Sequence, residues 1–269
     1  MSTRRKPPEA AAVPPSIELA WGRREQGSRG PKRGLALESI VGAGIAVAGA
    51  EGIESVSMAR VARDLGVGTM SLYRYVNSKD ELVTLMVDTA LGPPASGPET
   101  EQHGWREGLT RWALGVRAAY RGHPWTLRVP ITGPPLGPNN VAWMESALSA
   151  LRETPLSEQQ KLSTLLLLSG FVRNDSTLNA DFAAGAAGAA GAAGAAGAAG
   201  ATGAADRPPT PTYGAILSEL TDAARFPALH KAIASGELDD EDEDFESDFE
   251  FGLDRILDGI GVLIERGGE

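Results

Sequence analysis

The 269-residue chain has no cysteine. That excludes a disulfide framework, a thiolate metal site and a cysteine nucleophile, and it fits a cytoplasmic bacterial protein. No run of 18 apolar residues occurs, so no membrane-spanning helix is expected. Arg4, Arg5 and Lys6 are not followed by an apolar block, so the N-terminus does not read as a secretory signal. The hydrolase, zincin and nucleotide-binding motifs HExxH, GxSxG, Walker A and a strand-bound GxGxxG are all missing. The three histidines, His103, His123 and His230, show no metal-ligand spacing with one another or with a carboxylate. Residues 237–250 hold 10 Asp/Glu and no basic residue, but Asp239–Asp244 lacks the central glycine of a calcium loop and reads as a solvated acidic loop. Neither an enzyme, a metal nor a cofactor is expected.

What is present is unevenly charged. The net charge of −10 argues at first against nucleic acid. Yet residues 1–82 carry 12 Lys/Arg against 9 Asp/Glu, a net of +3, while residues 83–269 carry 13 against 26, a net of −13. Such asymmetry points to a nucleic-acid-binding end.

Residues 57–82 carry the clearest pattern. Val61, Ala62 and Leu65 recur at helical spacing and stop at Gly66-Val67-Gly68, a hinge in which glycine is free to take positive φ. Thr69 to Tyr75 then read as a short helix with Leu72 inward and Thr69, Ser71, Tyr73, Arg74 and Tyr75 outward. Two helices across a short glycine turn form a helix-turn-helix, whose second helix fits the DNA major groove. Ser57 suits the N-cap of the first helix. Ser78-Lys-Asp-Glu81 is a capping box opening a further helix, which runs through Leu82, Val83, Leu85 and Met86 to Gly92-Pro93-Pro94. Ahead of these, residues 34–51 form a helix with Leu37, Ile40, Val41, Gly44, Ile45 and Ala48 on one face.

The segments Leu65-Gly66-Val67, Leu72-Tyr73-Arg74-Tyr75-Val76 and Ser78-Lys79-Asp80-Glu81-Leu82 resemble, in order and spacing, the N-terminal domain of the TetR family of transcriptional repressors. The resemblance implies an all-α protein: a three-helix helix-turn-helix domain (residues 34–91) followed by an α-helical ligand-binding and dimerisation domain (residues 104–269), joined at the Pro/Gly-rich stretch 92–103. Residues 1–33, with 8 basic and 3 acidic residues, lack the periodicity of a stable helix and are expected to be a disordered basic arm.

The body opens with Trp105, Leu109, Trp112, Val116 and Tyr120 at steps of 4, 3, 4 and 4, a helix bearing three large aromatics. Pro124 suits the start of a short helix with Trp125 and Leu127. Pro138 to Leu151 form another, with Val141, Met144, Leu148 and Leu151 on its stripe. A second capping box, Ser157-Glu-Gln-Gln160, opens a helix through Leu162, Leu165 to Leu168, Phe171 and Val172. It is apolar nearly all round and therefore needs cover on most sides. Residues 183–205 repeat Ala-Ala-Gly. Alanine favours helix, but glycine costs roughly 1 kcal/mol per position there, so 183–209 is expected to be a flexible, weakly helical linker. Amphipathic helices follow around Tyr213–Leu220 and Ala228–Ala234. At the end, Phe249, Leu253, Ile256, Ile260 and Leu263 step by 4, 3, 4 and 3, a heptad seam. Phe249 to Ile260 also resembles the final helix of the tetracycline-repressor-like C-terminal domain. The resemblance implies that this helix and the Leu162–Val172 helix, Leu165 included, pair with their copies in a homodimer. An intrachain core helix is the alternative.

For double-stranded DNA, Arg60, Lys79 and the Tyr73 hydroxyl are phosphate candidates. Thr69, Ser71, Arg74 and Tyr75 are candidates for base edges, and Met70 for a thymine methyl. Ser57 completes the DNA-facing set. The resemblance places Tyr73, Tyr75 and Lys79 where family members contact the backbone; packing between helices is the alternative for the tyrosines. Ala59 stands where some tetracycline repressors carry a base-reading arginine, which implies a different operator. An approximate match puts Trp112, Val116, Trp143 and Ser146, with Phe171, near the ligand pocket. Pro130 falls roughly where tetracycline repressors have a metal-chelating histidine, so a bulky apolar or aromatic effector is expected rather than magnesium–tetracycline. The expected function is a homodimeric, ligand-responsive repressor. A dimeric DNA-binding regulator without effector, and a helical scaffold that has lost DNA binding, remain open.

Overall fold

The computed structural model describes residues 13–23, 35–95, 104–198, 212–239 and 245–267. Among these, every regular element is helical, as the periodicity predicts. None is long and apolar enough to cross a membrane.

The N-terminal head is built on α2 (Leu37–Glu51), α3 (Met58–Asp64), the single turn α4 (Thr69–Leu72) and α5 (Lys79–Leu91). Its apolar faces meet in one core containing Ile40, Val41, Val56, Val61, Leu72, Val76, Leu82 and Met86. The end of α3 is set by Gly66, at φ 66°, a left-handed conformation in which a side chain would clash with its own backbone. Both expected caps form. The Ser57 hydroxyl accepts from the Arg60 N–H at 3.2 Å, and the Ser78 hydroxyl accepts from the Glu81 N–H at 3.1 Å. The Glu81 carboxylate reaches back one residue beyond the expected partner, to the Asn77 N–H.

The body begins with α6 (Trp105–Gly122), a 3-10 turn (Pro124–Arg128), α7 (Pro138–Ala150) and α8 (Glu158–Ala198). At the start of α8 the capping box is reciprocal: the Gln160 N–H donates to the Ser157 hydroxyl at 3.3 Å, and the Ser157 N–H to the Gln160 side chain at 2.8 Å. The chain divides into two compact units, 1–180 with 253–269, and 181–252. The 92–103 stretch therefore does not separate compact units: head and early body pack together, for reasons given below. The second unit contains α9 (Tyr213–Leu220) and α10 (Pro227–Ser235), linked by a 3.0 Å Thr221–His230 side-chain contact. The last helix is α11 (Phe245–Glu265).

Three expectations need correction. Residues 1–33 are not uniformly without structure, because α1 (Pro15–Ala20) buries Ser16 and Ile17. A periodicity search misses it because one and a half turns carry a single core residue. The Ala-Ala-Gly repeat does not start as a loose linker: α8 continues through it to Ala198, alanine prevailing over the glycine penalty in a helix already nucleated upstream. Residues 199–211 lie outside the described residues, as do most of the basic arm and Asp240–Asp244. Finally, the heptad seam of α11 is not one exposed stripe. Phe249, Leu253 and Ile260, with Leu257, are buried within the chain itself.

Candidate nucleic-acid interface and its joint to the body

The α3–α4 turn presents a surface whose chemistry is set by which residues the core takes. Leu72 and Val76 are fully buried. At helical spacing that turns Met70, Tyr73 and Arg74 outward, and all three are exposed, Met70 to 78%. Thr69 and Ser71 are half-buried at the start of the turn, and Lys79 is exposed at the start of α5. These six residues share one part of the head surface, and their side chains supply hydroxyl, guanidinium, ammonium and apolar groups, the set that phosphate contact and base reading employ.

Two predicted DNA contacts are already engaged inside the protein. Tyr75 is half-buried, and its hydroxyl donates to the Leu35 carbonyl just before α2. Arg60 is clamped between carboxylates. Its Nη1 and Nη2 donate to Glu51 at 2.6 and 2.7 Å, and its Nε donates to both oxygens of Asp64 at 3.1 and 3.0 Å. The bidentate hydrogen bonds from Arg60 hold the Glu51 carboxyl below the usual range, and those carboxylates in turn raise the Arg60 guanidinium. A cation so paired has little net charge for a phosphate. The Ser57 hydroxyl is likewise occupied as a cap.

The head is fixed to the body by residues that sequence reading did not single out. Asp88, on α5, is only 4% exposed. Its carboxylate accepts from the backbone N–H groups of Asn139 and Asn140 at 3.3 and 2.8 Å and from the Asn140 side-chain amide at 2.7 Å. The Asn139 amide donates to the Asp88 carbonyl at 3.0 Å. Asp88 thus supplies the negative charge and acceptors that the first turn of α7 needs. Gly137, the N-cap of α7, lies so close that a Cβ there would collide with the Asp88 carboxylate. A second tie runs from the Trp143 indole N–H to the Gly92 carbonyl at 2.8 Å. Trp125, from the 3-10 turn, belongs to the head's own core. The signal for Asp88 was an acidic residue on the buried side of an amphipathic helix, a position that demands donors nearby.

The expected effector residues are brought together in part. Trp112 and Trp143 pack edge to face at 6.3 Å, the Trp112 N–H donating to the Trp143 carbonyl at 2.9 Å. Val116 is buried beside Ala113 on α6, while Ser146 and Phe171 are half-buried. Polar groups missed from sequence are also inside. Arg117 is buried and donates to Asp175 at 2.9 Å, and Arg173 donates to the Leu127 and Val129 carbonyls at 3.0 and 2.9 Å. A cavity of about 30 Å³ lies between α5, α6 and α7, lined by Val87, Ala90, Leu91, Ala119, Tyr120, Thr126 and Asn140. It adjoins the Asp88 joint through Asn140.

On the outer side, α8 and α11 leave a groove of about 450 Å³ lined by Gln160, Ser163, Thr164, Leu167, Arg255, Ile256, Gly259, Ile260 and Leu263. Beside it Leu162 and Leu166 are exposed, and Leu165 is half-buried.

Comparison with known proteins agrees with this anatomy. Residues 40–86 match the family model "Bacterial regulatory proteins, tetR family" and residues 97–264 match "Tetracyclin repressor-like, C-terminal domain". The HTH-type transcriptional repressor DrrR1 of Streptomyces coeruleorubidus is 36% identical over 266 residues, 94% of this chain and 88% of that protein. The Streptomyces coelicolor TetR family protein ActR, solved in complex with (S)-DNPA, superposes with a TM-score of 0.64 at 26% identity, covering 86% of this chain and 99% of ActR. ActR in complex with actinorhodin gives a TM-score of 0.65 at 26% identity over 85% of this chain and 96% of ActR. A head built as a helix-turn-helix, followed by a helical body of the tetracycline-repressor type, identifies the chain as a member of the TetR family of bacterial transcriptional regulators, not an enzyme.

Proposed function

We propose that the protein is a repressor that binds a palindromic operator as a homodimer and is released by a bulky apolar or aromatic small molecule. The observation that carries the reading is the exposed set Met70, Tyr73, Arg74 and Lys79 around a turn anchored by buried Leu72. In this reading Thr69, Ser71 and Arg74 read base edges, Met70 touches a thymine methyl, and Tyr73 and Lys79 hold phosphates. The exposed leucines of α8 and the groove beside α11 supply a surface for a second copy, which presents the second recognition turn to the other half-site.

Effector response is supported by the body's aromatic pair, by its buried polar groups, and by ActR, which has been solved with actinorhodin and with (S)-DNPA. Effector entering between α6, α7 and α8 displaces α7, and the Asp88 joint passes the displacement to α5 and the head. The ligand shifts that equilibrium only by its differential affinity for the two states.

Footprinting on DNA upstream of the protein's own gene tests the DNA reading. Protection of an inverted repeat, lost in Arg74→Ala, supports it; the absence of any protected site at low salt defeats it. For the effector, actinorhodin serves as the first probe, in operator titrations with and without the compound. An operator-binding protein indifferent to apolar and aromatic compounds would be a dimeric regulator without an effector.

A further inference from the structure

Helix α1 is too short to persist by itself, so its contacts must hold it. Pro15 stands in its first turn, a position that favours proline. Ile17 enters the head core at 4% exposure. Ser16 is fully buried, and its hydroxyl donates to the Glu81 carboxylate, a charge-assisted bond. The other oxygen of that carboxylate accepts from the Asn77 N–H, in the turn between the recognition segment and α5. One end of α1 therefore grips the base of the reading surface.

The other end grips the body. The Trp21 indole N–H donates to the Leu136 carbonyl at 2.9 Å. Leu136 directly precedes Gly137, the N-cap of α7 that lies against Asp88. Arg23 covers the Trp21 ring at 5.8 Å. The chain is back at the head by Leu35, whose carbonyl accepts from Tyr75. The segment thus ties the first turn of α5, at Glu81, and the head core, at Ile17, to the entry loop of α7.

We propose that α1 is a strap that fixes the angle of the DNA-reading head against the body, through Ser16–Glu81 at one end and Trp21–Leu136 at the other. The head is carried by α5 and tied to the body by the Asp88 joint and by Trp125 in the head core, all on or close to the line of that helix or the 3-10 turn. A further attachment at the α7 entry loop, through Trp21, restricts rotation of the head against the body, and any displacement of that loop pulls on Glu81 and the turn beside Lys79. The strap narrows the range of head positions and transmits movement of α7 to the reading surface. Its effect on operator affinity rests on the DNA reading proposed above; its effect on head position does not.

The absence of cysteine makes the test direct. Arg63, on the head, and Arg152, on the body, have side chains 72% and 74% exposed and accept spin labels as Arg63→Cys and Arg152→Cys. Doubly labelled chains diluted into excess unlabelled chain report the head–body distance by pulsed electron resonance. Trp21→Phe keeps an aromatic ring but removes the N–H donor along with part of the ring that Arg23 covers; deletion of residues 1–22 removes the strap whole, and circular dichroism verifies that the remainder stays helical. A broader or shifted distribution in both supports the strap. An unchanged distribution in both overturns it. A change in the deletion alone also overturns it, because α1 would then serve only as packing for the head. If the distributions broaden while the unsubstituted protein protects no DNA, the strap stands and the operator reading fails.

Discussion

Asp88 and Asn140 form a hydrogen-bonded joint between head and body. One carboxylate oxygen of Asp88 takes both the Asn140 backbone N–H, at 2.8 Å, and its side-chain amide, at 2.7 Å. The contact joins α5, which carries the head, to the first turn of α7, which packs on α6 in the body. Asp88→Ala leaves buried donors at the start of α7 without acceptors, and should lower stability by about 1–3 kcal/mol. Gly137→Ala should act at the same point by forcing the carboxylate away. Urea denaturation followed by circular dichroism checks both. Combining them should cost less than the sum of the single losses, because the two changes break the same contact. Full additivity would show that Gly137 acts elsewhere.

The two tyrosines of the recognition segment should separate by assay. Tyr75 gives its hydroxyl to the Leu35 carbonyl, so Tyr75→Phe should reduce stability by about 1 kcal/mol and leave the salt dependence of DNA binding unchanged. Tyr73 is 44% exposed. Tyr73→Phe should leave stability unchanged and weaken DNA binding by loss of a backbone contact. Thermal melting and fluorescence anisotropy on the same variants decide the assignment; the reverse pattern would exchange the roles.

These cases show what sequence could and could not supply. The helix-turn-helix was legible because Leu72, the Gly66 hinge and the two Ser–Glu/Gln capping boxes are local: each is specified within a few residues. The outward face of the α4 turn followed from the same periodicity. The Glu51 half of the clamp on Arg60, the hydroxyl partner of Tyr75 and the donors to Asp88 were not legible, because those partners lie 9 to 52 residues away; only Asp64, four residues on along α3, was within local reach of Arg60. The α11 seam was only half correct for a related reason. A 4-3-4-3 spacing identifies an apolar face without saying whether its own chain or a copy covers it. Here, its own chain takes Leu253 and Ile260 into the interior, whereas Ile256 and Leu263 remain half-exposed along the groove.

The Arg60 clamp makes a charge prediction. Glu51→Gln removes one of the two carboxylates facing the guanidinium. It should therefore strengthen DNA binding and steepen its salt dependence by up to about one phosphate contact. Titrations over a range of salt concentrations read both effects. An unchanged slope would place Arg60 outside the DNA footprint. The same pair has a pH signature. Hydrogen bonds from Arg60 depress the Glu51 carboxyl in the folded protein, so its contribution to stability is complete above the unfolded value of about 4.3. It is lost as pH falls through the lower folded-state value. Glu51→Gln should flatten the acid limb of the stability profile, and carbon-detected NMR titration of Glu51 gives the shift directly.

The strongest test of assembly lies on α8. Leu166 is 75% exposed and flanked by exposed Leu162 and Leu167, a concentration of apolar surface that water disfavours and a second copy would cover. A two-fold interface repeats each residue, so one substitution acts twice. Burial of a leucine contributes roughly 1.5–3 kcal/mol; Leu166→Glu both removes that contribution and places a carboxylate in each half of the contact. Sedimentation velocity should show a dimer converted to monomer, and operator affinity should fall because the two half-sites are no longer read together. Ile131 provides the control. It is equally exposed, at 75%, but stands in the loop before α7 and does not line the α8–α11 groove. Ile131→Glu should leave the assembly unchanged. Loss of the dimer in both variants would indicate a general response to added charge; its loss only in Leu166→Glu assigns the interface to α8.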